Sequence, residues 1–147
     1  GDISEVSQND SDVVPIGKAN IIQSGSDLTL VSFGIGIRHC LAATKILESE
    51  GVSIEIIDLR SLRPLDRDTI IKSVKKTNRC VTVEEGFPIC SIGNHISSIV
   101  MEFAFDYLDA PVLNCSGKDV PMPYAANLEK EALVSPSEIV RRIKQIL

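Results

Sequence analysis

The alternation of strand-like and helix-like segments constrains the fold of this chain more than any other feature. Short runs of β-branched residues alternate with longer segments whose apolar residues recur every three or four positions, the spacing that gives a helix one apolar side. Such alternation is typical of a mostly parallel sheet with helices on both faces. We expect strands at 53–59, 79–84 and 112–115, and helices at 38–50, 67–77, 92–105 and 136–146.

The last of these helices has the clearest start. Ser135 can cap it, Pro136 suits the first helical position, and Glu138 completes a capping box three residues after the serine. The sequence therefore predicts that this helix begins at Pro136.

The amino-terminal part of the chain predicts a different arrangement. Residues 1–12 are rich in Ser, Asp, Asn and Gln, which indicates a flexible leader, so we place the domain at 13–147. Two strands follow at 17–22 and 28–33, and the short turn at 24–27 favours a hairpin, with the first strand antiparallel to the second. The predicted fold class is α/β: a three-layer α/β/α sandwich around a five-stranded mixed sheet, mostly parallel with the first strand antiparallel.

The nine residues from Asp58 to Asp66 form a two-arginine elbow between a strand and a helix. Pro64 favours a turn there, and Asp66 can cap the helix. Arg60 and Arg63 fall at the carboxyl end of the strand, where open α/β sheets usually meet ligands or partners.

Glu84 and Glu85 end the next strand along the chain and belong to the same edge of the sheet. Paired carboxylates can perform acid–base chemistry when their environments separate their pKa values. The sequence places no nucleophile or metal set beside them, so an ion-pair network that fixes loops or docks a neighbouring domain is the favoured interpretation. We therefore interpret Arg60, Arg63, Glu84 and Glu85 as subunit-interface or scaffold residues.

Two other features resemble binding motifs only weakly. Gly34 and Gly36 separate a strand from a helix, where backbone N–H groups can bind phosphate, but His39 stands where a dinucleotide fingerprint needs glycine. His39 and His95 lack the partners of a catalytic triad or metal site and are interpreted as surface or interface residues. We predict no catalytic, cofactor-binding or metal-binding residue in this chain. A stand-alone anion or nucleotide module, built on the two glycines and the arginine elbow, is an alternative.

The composition of the chain limits the classes of partner and the cellular compartment that we expect. A net charge of −5 and a pI near 5.0 argue against nucleic acid, because phosphate binding needs clustered Lys and Arg. No apolar run approaches the ~20 residues that span a bilayer, so we expect no membrane partner. The four cysteines, at 40, 80, 90 and 115, have no metal or disulfide spacing, and we expect reduced, mostly buried thiols in a reducing compartment.

Six motifs, in order along residues 16–147, resemble the carboxy-terminal domain of pyruvate dehydrogenase β subunits. They are Ile16 to Ala19, Asp58 to Asp66, Ser73 to Thr77, Thr82 to Gly86, Tyr107 to Val112 and Asp119 to Ala125. The resemblance implies a transketolase carboxy-terminal-type fold and a chain that is part of a larger β subunit.

The resemblance also implies that the chemistry needs other parts of the enzyme. In this family the amino-terminal domain of the β subunit and the α subunit bind thiamine diphosphate and Mg, so this fragment would bind no cofactor and be inactive alone. The family reaction oxidatively decarboxylates pyruvate and passes the acetyl group to a lipoyl arm of the acyltransferase.

What remains for this domain, on the resemblance, is assembly. Its partners would be the β subunit's amino-terminal domain, a second β subunit, the α subunit and the peripheral-subunit-binding domain of dihydrolipoyl acetyltransferase. The family motif assigns docking of that last domain to Asp109, with the terminal carboxylate of Leu147 as its companion. Two carboxylates can bind an arginine or lysine of a small basic domain.

Related enzymes remain open alternatives. The same domain occurs in branched-chain 2-oxo acid dehydrogenase, acetoin dehydrogenase and transketolase, and the motif from Asp119 to Ala125 favours the pyruvate enzyme. The expected location is bacterial cytoplasm, or alternatively the mitochondrial matrix.

Overall fold

The computed structural model describes residues 17–85, 92–117 and 134–147. In these ranges the strands are β1 (Asn20–Gln23), β2 (Leu28–Ser32), β3 (Ile54–Asp58), β4 (Cys80–Glu84) and β5 (Leu113–Ser116). The helices are α1 (Gly36–Glu48), α2 (Arg67–Thr77), α3 (Ile92–Phe103) and α4 (Pro136–Lys144), with a 3₁₀ turn at Phe105–Tyr107. The leader predicted at 1–12, Cys90 and the motif from Asp119 to Ala125 lie outside the described residues.

The strands form one five-stranded sheet in the order β1, β3, β2, β4, β5. Three adjacent pairs, β3 with β2, β2 with β4 and β4 with β5, are parallel. In these pairs Leu28 lies opposite Ile54, for example, and Val81 lies opposite Leu113. The first strand, β1, is antiparallel to β3. The predicted mixed sheet, with its antiparallel first strand, is confirmed.

The predicted hairpin between the first two strands is wrong. Asn20 of β1 pairs with Asp58 of β3, and β2 lies on the other side of β3. The connection between β1 and β2 crosses the amino-terminal end of β3, where the Asp27 N–H donates to the Ser53 carbonyl oxygen at 2.7 Å and the Ser53 N–H donates to the Asp27 carboxylate at 2.7 Å. In a hairpin, β1 would have to pair along an edge of β2, but the parallel pairing of β2 with β3 occupies that edge.

Gly25 allows this crossing. A β-carbon at Gly25 would overlap the backbone between Ile54 and Glu55, so only glycine lets the connection lie so close to β3. The Gly25 N–H donates instead to Oε1 of Glu55 at 3.1 Å.

Glu55 is a buried carboxylate, 2 % exposed, beneath α2. Burial alone would raise the pKa of Glu55, but hydrogen bonds from Lys76, the Gly25 N–H and Ser73 outweigh burial and hold the pKa below its ordinary value of 4.5. The Ser73 hydroxyl also bonds to the hydroxyl of Thr29 on β2 at 2.6 Å. One charged group therefore connects the crossing segment, the sheet and α2.

Apolar side chains fill the space on both faces of the sheet. One cluster joins α1 and α4 to strand residues that include Leu30, Ile56 and Val81. The other joins α2 and α3 to residues that include Val31, Ile57 and Cys80. The alternation of neighbours such as Leu30 and Val31 between the two clusters is the period of two expected of strands buried on both faces.

Most element boundaries agree with the sequence prediction. The helix α4 begins at Pro136, and Oγ of Ser135 accepts the N–H of Glu138 at 3.2 Å. The boundaries of α2 match at both ends. The helix α1 begins two residues earlier than predicted, at Gly36, and α3 ends two residues earlier, at Phe103.

Three of the four cysteines are buried free thiols: Cys40, Cys80 and Cys115. Burial raises the pKa of Cys40 and of Cys80 to about 12, because a thiolate there would lose its hydration. The prediction of buried thiols is confirmed for these three residues.

We predict that Gly25→Ala destabilises the domain by about 3 kcal/mol or more, since the added methyl group forces the connection away from β3. The measurement is the free energy of unfolding from urea denaturation. The neighbouring variant Ser26→Ala is the control, because the Ser26 contact with Ser53 uses only its backbone N–H. Equal stability of the two variants would contradict the crossing geometry.

Candidate functional site

The parallel strands divide the candidate residues between two ends of the sheet. Arg60 follows the end of β3, Glu84 is the last residue of β4, and Glu85 follows it. These residues therefore lie at the end of the sheet that we call the carboxyl edge. Asp109 precedes β5, and Leu147 follows α4, which returns to the opposite end; we call that end the amino edge. The two sets predicted from sequence are therefore spatially separate.

Two consecutive residues connect the parts of the amino edge. The carbonyl oxygen of Asn78 accepts the N–H of Asp109 at 2.9 Å. The Nε of Arg79 donates to the carbonyl oxygen of Ile146 at 3.0 Å, and its Nη1 donates to that of Asp27 at 3.2 Å. The adjacent residues Asn78 and Arg79 thus hold Asp109 and Ile146, the residue before Leu147, at the same end of the molecule.

Asp109 lies on an open groove between α3 and the start of β5. The groove has a volume of about 710 Å³, and its lining comprises Ser97, Met101, Phe105, Asp106, Leu108, Asp109, Ala110, Pro111 and Val112. Met101 is 49 % exposed and Phe105 is 59 % exposed, which is unusual for large apolar side chains. An apolar floor with two carboxylates is suited to a partner that presents both apolar and basic side chains.

Aromatic contacts fix the position of the segment that forms this groove. The guanidinium of Arg67 lies 4.9 Å from the ring centroid of Phe103, and Nζ of Lys75 lies 5.2 Å from that of Tyr107. The side-chain amide of Asn78 donates to the carbonyl oxygen of Tyr107 at 2.8 Å. The first contact joins α2 to α3. The other two join α2 and the residue that follows it to the 3₁₀ turn.

At the carboxyl edge, the two glutamates contact different groups. Oε2 of Glu84, a buried side chain, accepts the N–H of Gly93 at 2.8 Å, in the first turn of α3, where a carboxylate is favourable to the helix dipole. Oε1 of Glu85 lies 3.1 Å from Nε2 of His39 on α1. The sequence pattern did not indicate this approach of His39, because the two residues are distant in the chain.

The arginine elbow forms a compact turn with exposed cationic side chains. Arg60 has a φ of +59°, and its N–H donates to Oδ1 of Asp58 at 3.1 Å. The hydroxyl of Ser61 donates to the carbonyl oxygen of Pro64 at 3.1 Å, and the peptide bond between Arg63 and Pro64 is cis. Neither arginine forms a salt bridge with another described residue, so the structure does not join them to the glutamates of the same edge.

The elbow also holds the first described residues of the chain, in an arrangement that we call the clasp: Gly17, Ala19, Pro64 and Asp66. A β-carbon at Gly17, whose φ is +81°, would stand 3.0 Å from Cγ of Pro64. Oδ2 of Asp66 accepts the N–H of Ala19 at 2.8 Å, while Oδ1 caps α2 by accepting the N–H of Thr69 at 3.2 Å. The sequence predicted the cap but not the second bond.

The glycine turn before α1 has a structural explanation. A β-carbon at Gly36 would overlap Oγ of Ser32, a hydroxyl that donates to the carbonyl oxygen of Val83 at 2.6 Å. Gly34 has a φ of +59°, which glycine adopts without strain. Close helix packing and a tight turn therefore account for both glycines.

Within the described ranges, no helix is long and apolar enough to cross a membrane. In the same ranges, His, Cys, Asp and Glu side chains form no group of three or more that could hold a metal ion.

Comparison with known proteins identifies relatives. Residues 17–139 match the family described as "Transketolase, C-terminal domain". The "Pyruvate dehydrogenase E1 component subunit beta" of Rhizobium meliloti (strain 1021) is 56% identical over 146 residues, which cover 99% of this chain and 32% of the relative. The mitochondrial protein of the same description from Dictyostelium discoideum is 49% identical over 145 residues, which cover 99% of this chain and 41% of the relative. This chain thus spans 32% to 41% of the length of these two relatives.

A solved structure supports the fold. The protein described as "Split gene transketolase, inactive beta4 tetramer" superposes with a TM-score of 0.78 and 30% identity, over 91% of this chain and 42% of that chain. The predicted α/β fold of transketolase carboxy-terminal type is confirmed.

We predict that Asp66→Ala lowers the free energy of unfolding by about 1–3 kcal/mol at pH 7, because it removes a helix cap and a buried acceptor. Burial alone would raise the pKa of Asp66, but hydrogen bonds from Thr69 and Ala19 outweigh it and hold the pKa below the ordinary 3.8. The stabilisation is therefore complete above that ordinary value and is lost as pH falls through the lowered folded pKa.

Urea denaturation from pH 7 to pH 2 would measure this effect. The difference between wild type and Asp66→Ala should shrink at the acidic end, whereas Asp68→Ala, which removes an exposed carboxylate from the same helical turn, should show a smaller difference throughout. A difference that stays constant with pH would contradict a role for the charged form of Asp66.

Proposed function

This chain belongs to the transketolase carboxy-terminal domain family, and from that premise we propose that it is the carboxy-terminal assembly domain of a pyruvate dehydrogenase β subunit. The names of the two relatives support the pyruvate enzyme over branched-chain 2-oxo acid or acetoin dehydrogenases. The chain spans only part of those relatives, and we propose that the complete reaction uses residues outside it.

In the proposed enzyme, thiamine diphosphate and Mg are bound by the β subunit's amino-terminal domain and by the α subunit. When bound, they supply the decarboxylation of pyruvate and the transfer of acetyl to a lipoyl group. This domain contributes a rigid surface for subunit pairing and docking. Its compartment is the bacterial cytoplasm or the mitochondrial matrix, in keeping with the bacterial and mitochondrial relatives.

The observation that carries the docking proposal is the position of Asp109. Its side chain is exposed on an apolar groove, its backbone N–H donates to Asn78, and its carboxylate forms no salt bridge with a described residue. Leu147 lies at the same edge of the sheet. We propose that these residues bind a basic side chain of the peripheral-subunit-binding domain of dihydrolipoyl acetyltransferase.

Physical magnitudes favour a charge pair of this kind. A close pair at a protein interface couples by roughly 1.5–7 kcal/mol, with the higher values where water is excluded. The apolar side chains of Met101 and Phe105 in the same groove would help to exclude water around Asp109.

The carboxyl edge has a different proposed role. We propose that Arg60, Arg63, Glu84 and Glu85 serve as scaffold or as contacts with the amino-terminal domain, the second β subunit or the α subunit. The assembly of the neighbouring transketolase structure as a tetramer of β chains is compatible with pairing through such domains.

We predict that Asp109→Arg in the intact enzyme weakens capture by the binding domain about tenfold or more, because it replaces attraction by repulsion. Surface plasmon resonance on the immobilised binding domain measures capture. Decarboxylation of pyruvate with an artificial electron acceptor should remain at the wild-type rate.

The matched control is Asp68→Arg, the same charge reversal at an exposed position on the opposite edge. Capture should be nearly unchanged in this variant. If Asp109→Arg and Asp68→Arg capture equally well, Asp109 does not dock the acyltransferase.

The competing proposal of a stand-alone ligand-binding module has its own test. We predict that calorimetry of this chain with thiamine diphosphate, ATP and pyruvate detects no binding at micromolar concentrations. Micromolar binding of any of the three would refute a domain that serves assembly alone.

A further inference from the structure

A cleft between β1 and the middle of α2 is separate from the groove at Asp109 and from the arginine elbow. Its volume is about 290 Å³. The lining comprises Ile21, Glu55, Thr69, Lys72, Ser73 and Lys76. We propose that this cleft binds a small phosphate monoester, with the ammonium groups of Lys72 and Lys76 holding the phosphate. The inference is independent of the proposed function, because the docking and subunit contacts proposed above use other residues.

The side of α2 that lines the cleft is polar along its whole length. Four of the lining residues are on α2, at positions 69, 72, 73 and 76, which is the spacing of one continuous helix face. Ile70 and Val74 supply the contacts of α2 with the apolar core instead. The polar face is therefore available to a ligand and is not needed to fill the core.

The lining has two lysines and one carboxylate, an excess of one positive charge. The carboxylate of Glu55 is compensated, because Lys76, the Gly25 N–H and Ser73 all form hydrogen bonds with it. Lys72 is exposed and forms no salt bridge with a described residue. An ammonium group has three N–H donors, so Lys76 can bind an anion as well as Glu55. The positive charge is local, since the whole chain carries −5.

Nearby carboxylates leave the ammonium group of Lys72 available. Asp68 lies one helical turn before Lys72, yet the two form no salt bridge. Asp66 accepts the N–H groups of Ala19 and Thr69 and, at 2.6 Å, the hydroxyl of Thr69. A phosphate monoester carries about −1.5 to −2 charges at pH 7, and its oxygens accept several hydrogen bonds. Two ammonium groups four residues apart on one helix match such an anion.

The remaining lining groups favour a short carbon skeleton with a hydroxyl group. Thr69 donates its hydroxyl hydrogen to Asp66, so its oxygen is left to accept a hydrogen bond from a ligand hydroxyl. Ile21 of β1 is 45 % exposed and gives the cleft an apolar wall. The volume of the cleft is at the lower end of the range for ligand sites. A short phosphorylated polyol fits this combination.

Saturation-transfer difference NMR on the intact enzyme that contains this chain tests the proposal, with glycerol 3-phosphate as the probe. Saturating thiamine diphosphate and Mg are added so that the cofactor site does not take up the probe. We expect a dissociation constant on the order of 1 mM, because a ligand of this size gains little free energy in an open cleft. Binding in this range does not conflict with the absence of micromolar ligands predicted above. Glycerol, which lacks the phosphate, should show no saturation transfer.

Substitutions of Lys72 test the role of its charge. Lys72→Gln should raise the dissociation constant about fivefold or more, because it removes a charged donor. Lys72→Arg retains the charge and should bind within about twofold of wild type. The matched control is Lys45→Gln, which removes the same charge from an exposed position on α1, on the opposite face of the sheet. It should leave the dissociation constant unchanged.

A substitution on the other wall tests whether the anion lies inside the cleft. Ile21→Glu places a carboxylate on β1 beside the two lysines, so it should weaken binding about tenfold or more. Competition with glycerate tests the class of anion. This carboxylate analogue carries a single charge, so it should displace the probe about fivefold less effectively than unlabelled phosphate monoester does.

Four results would overturn the proposal. The first is no saturation transfer to glycerol 3-phosphate in the wild type. Equal binding by Lys72→Gln and wild type would place the probe elsewhere on the enzyme. Unchanged binding by Ile21→Glu would place it on the outer surface of α2 and not in the cleft. Displacement by glycerate as effective as that by the phosphate monoester would mean that the cleft does not select phosphate.

Discussion

The buried carboxylate of Glu55 is the interaction on which the rest of this domain depends. It lies in a strand next to the antiparallel edge of the sheet, where an unpaired charge would cost several kcal/mol. Its partners come from the segment that crosses β3 and from α2, so three elements must be in place before the charge is satisfied. The requirement makes the unusual position of β1 and the packing of α2 parts of one arrangement.

The parallel pairing of the strands then determines at which end of the sheet each candidate residue lies. Four parallel strands bring all of their carboxyl ends to one edge and all of their amino ends to the other. The elbow and the clasp occupy the first edge, and the groove with Asp109 occupies the second. The same rule explains why residues with similar chemistry, such as Glu84 and Asp109, lie among different neighbours.

Features governed by local chemistry were predictable from sequence. The cap at Ser135, the cap at Asp66 and the spacing of the helices required only nearby residues, and they agree with the structure. The hairpin failed because strand pairing is settled by competition between distant segments, and Gly25 looked like an ordinary turn residue. The second bond of Asp66 joins residues 47 positions apart, which no local pattern records. Asp109 was proposed only through resemblance, since its groove forms only when α3 and β5 pack together.

The strands that separate the two edges are short, yet they have an evolutionary consequence. Five residues of strand span roughly 16 Å, and substitutions farther apart than about 10 Å usually act independently. Substitutions in the groove at Asp109 can therefore accumulate while the hydrogen bonds of Asp66 keep their contribution to stability. The two ends of the domain can thus diverge in sequence at separate rates.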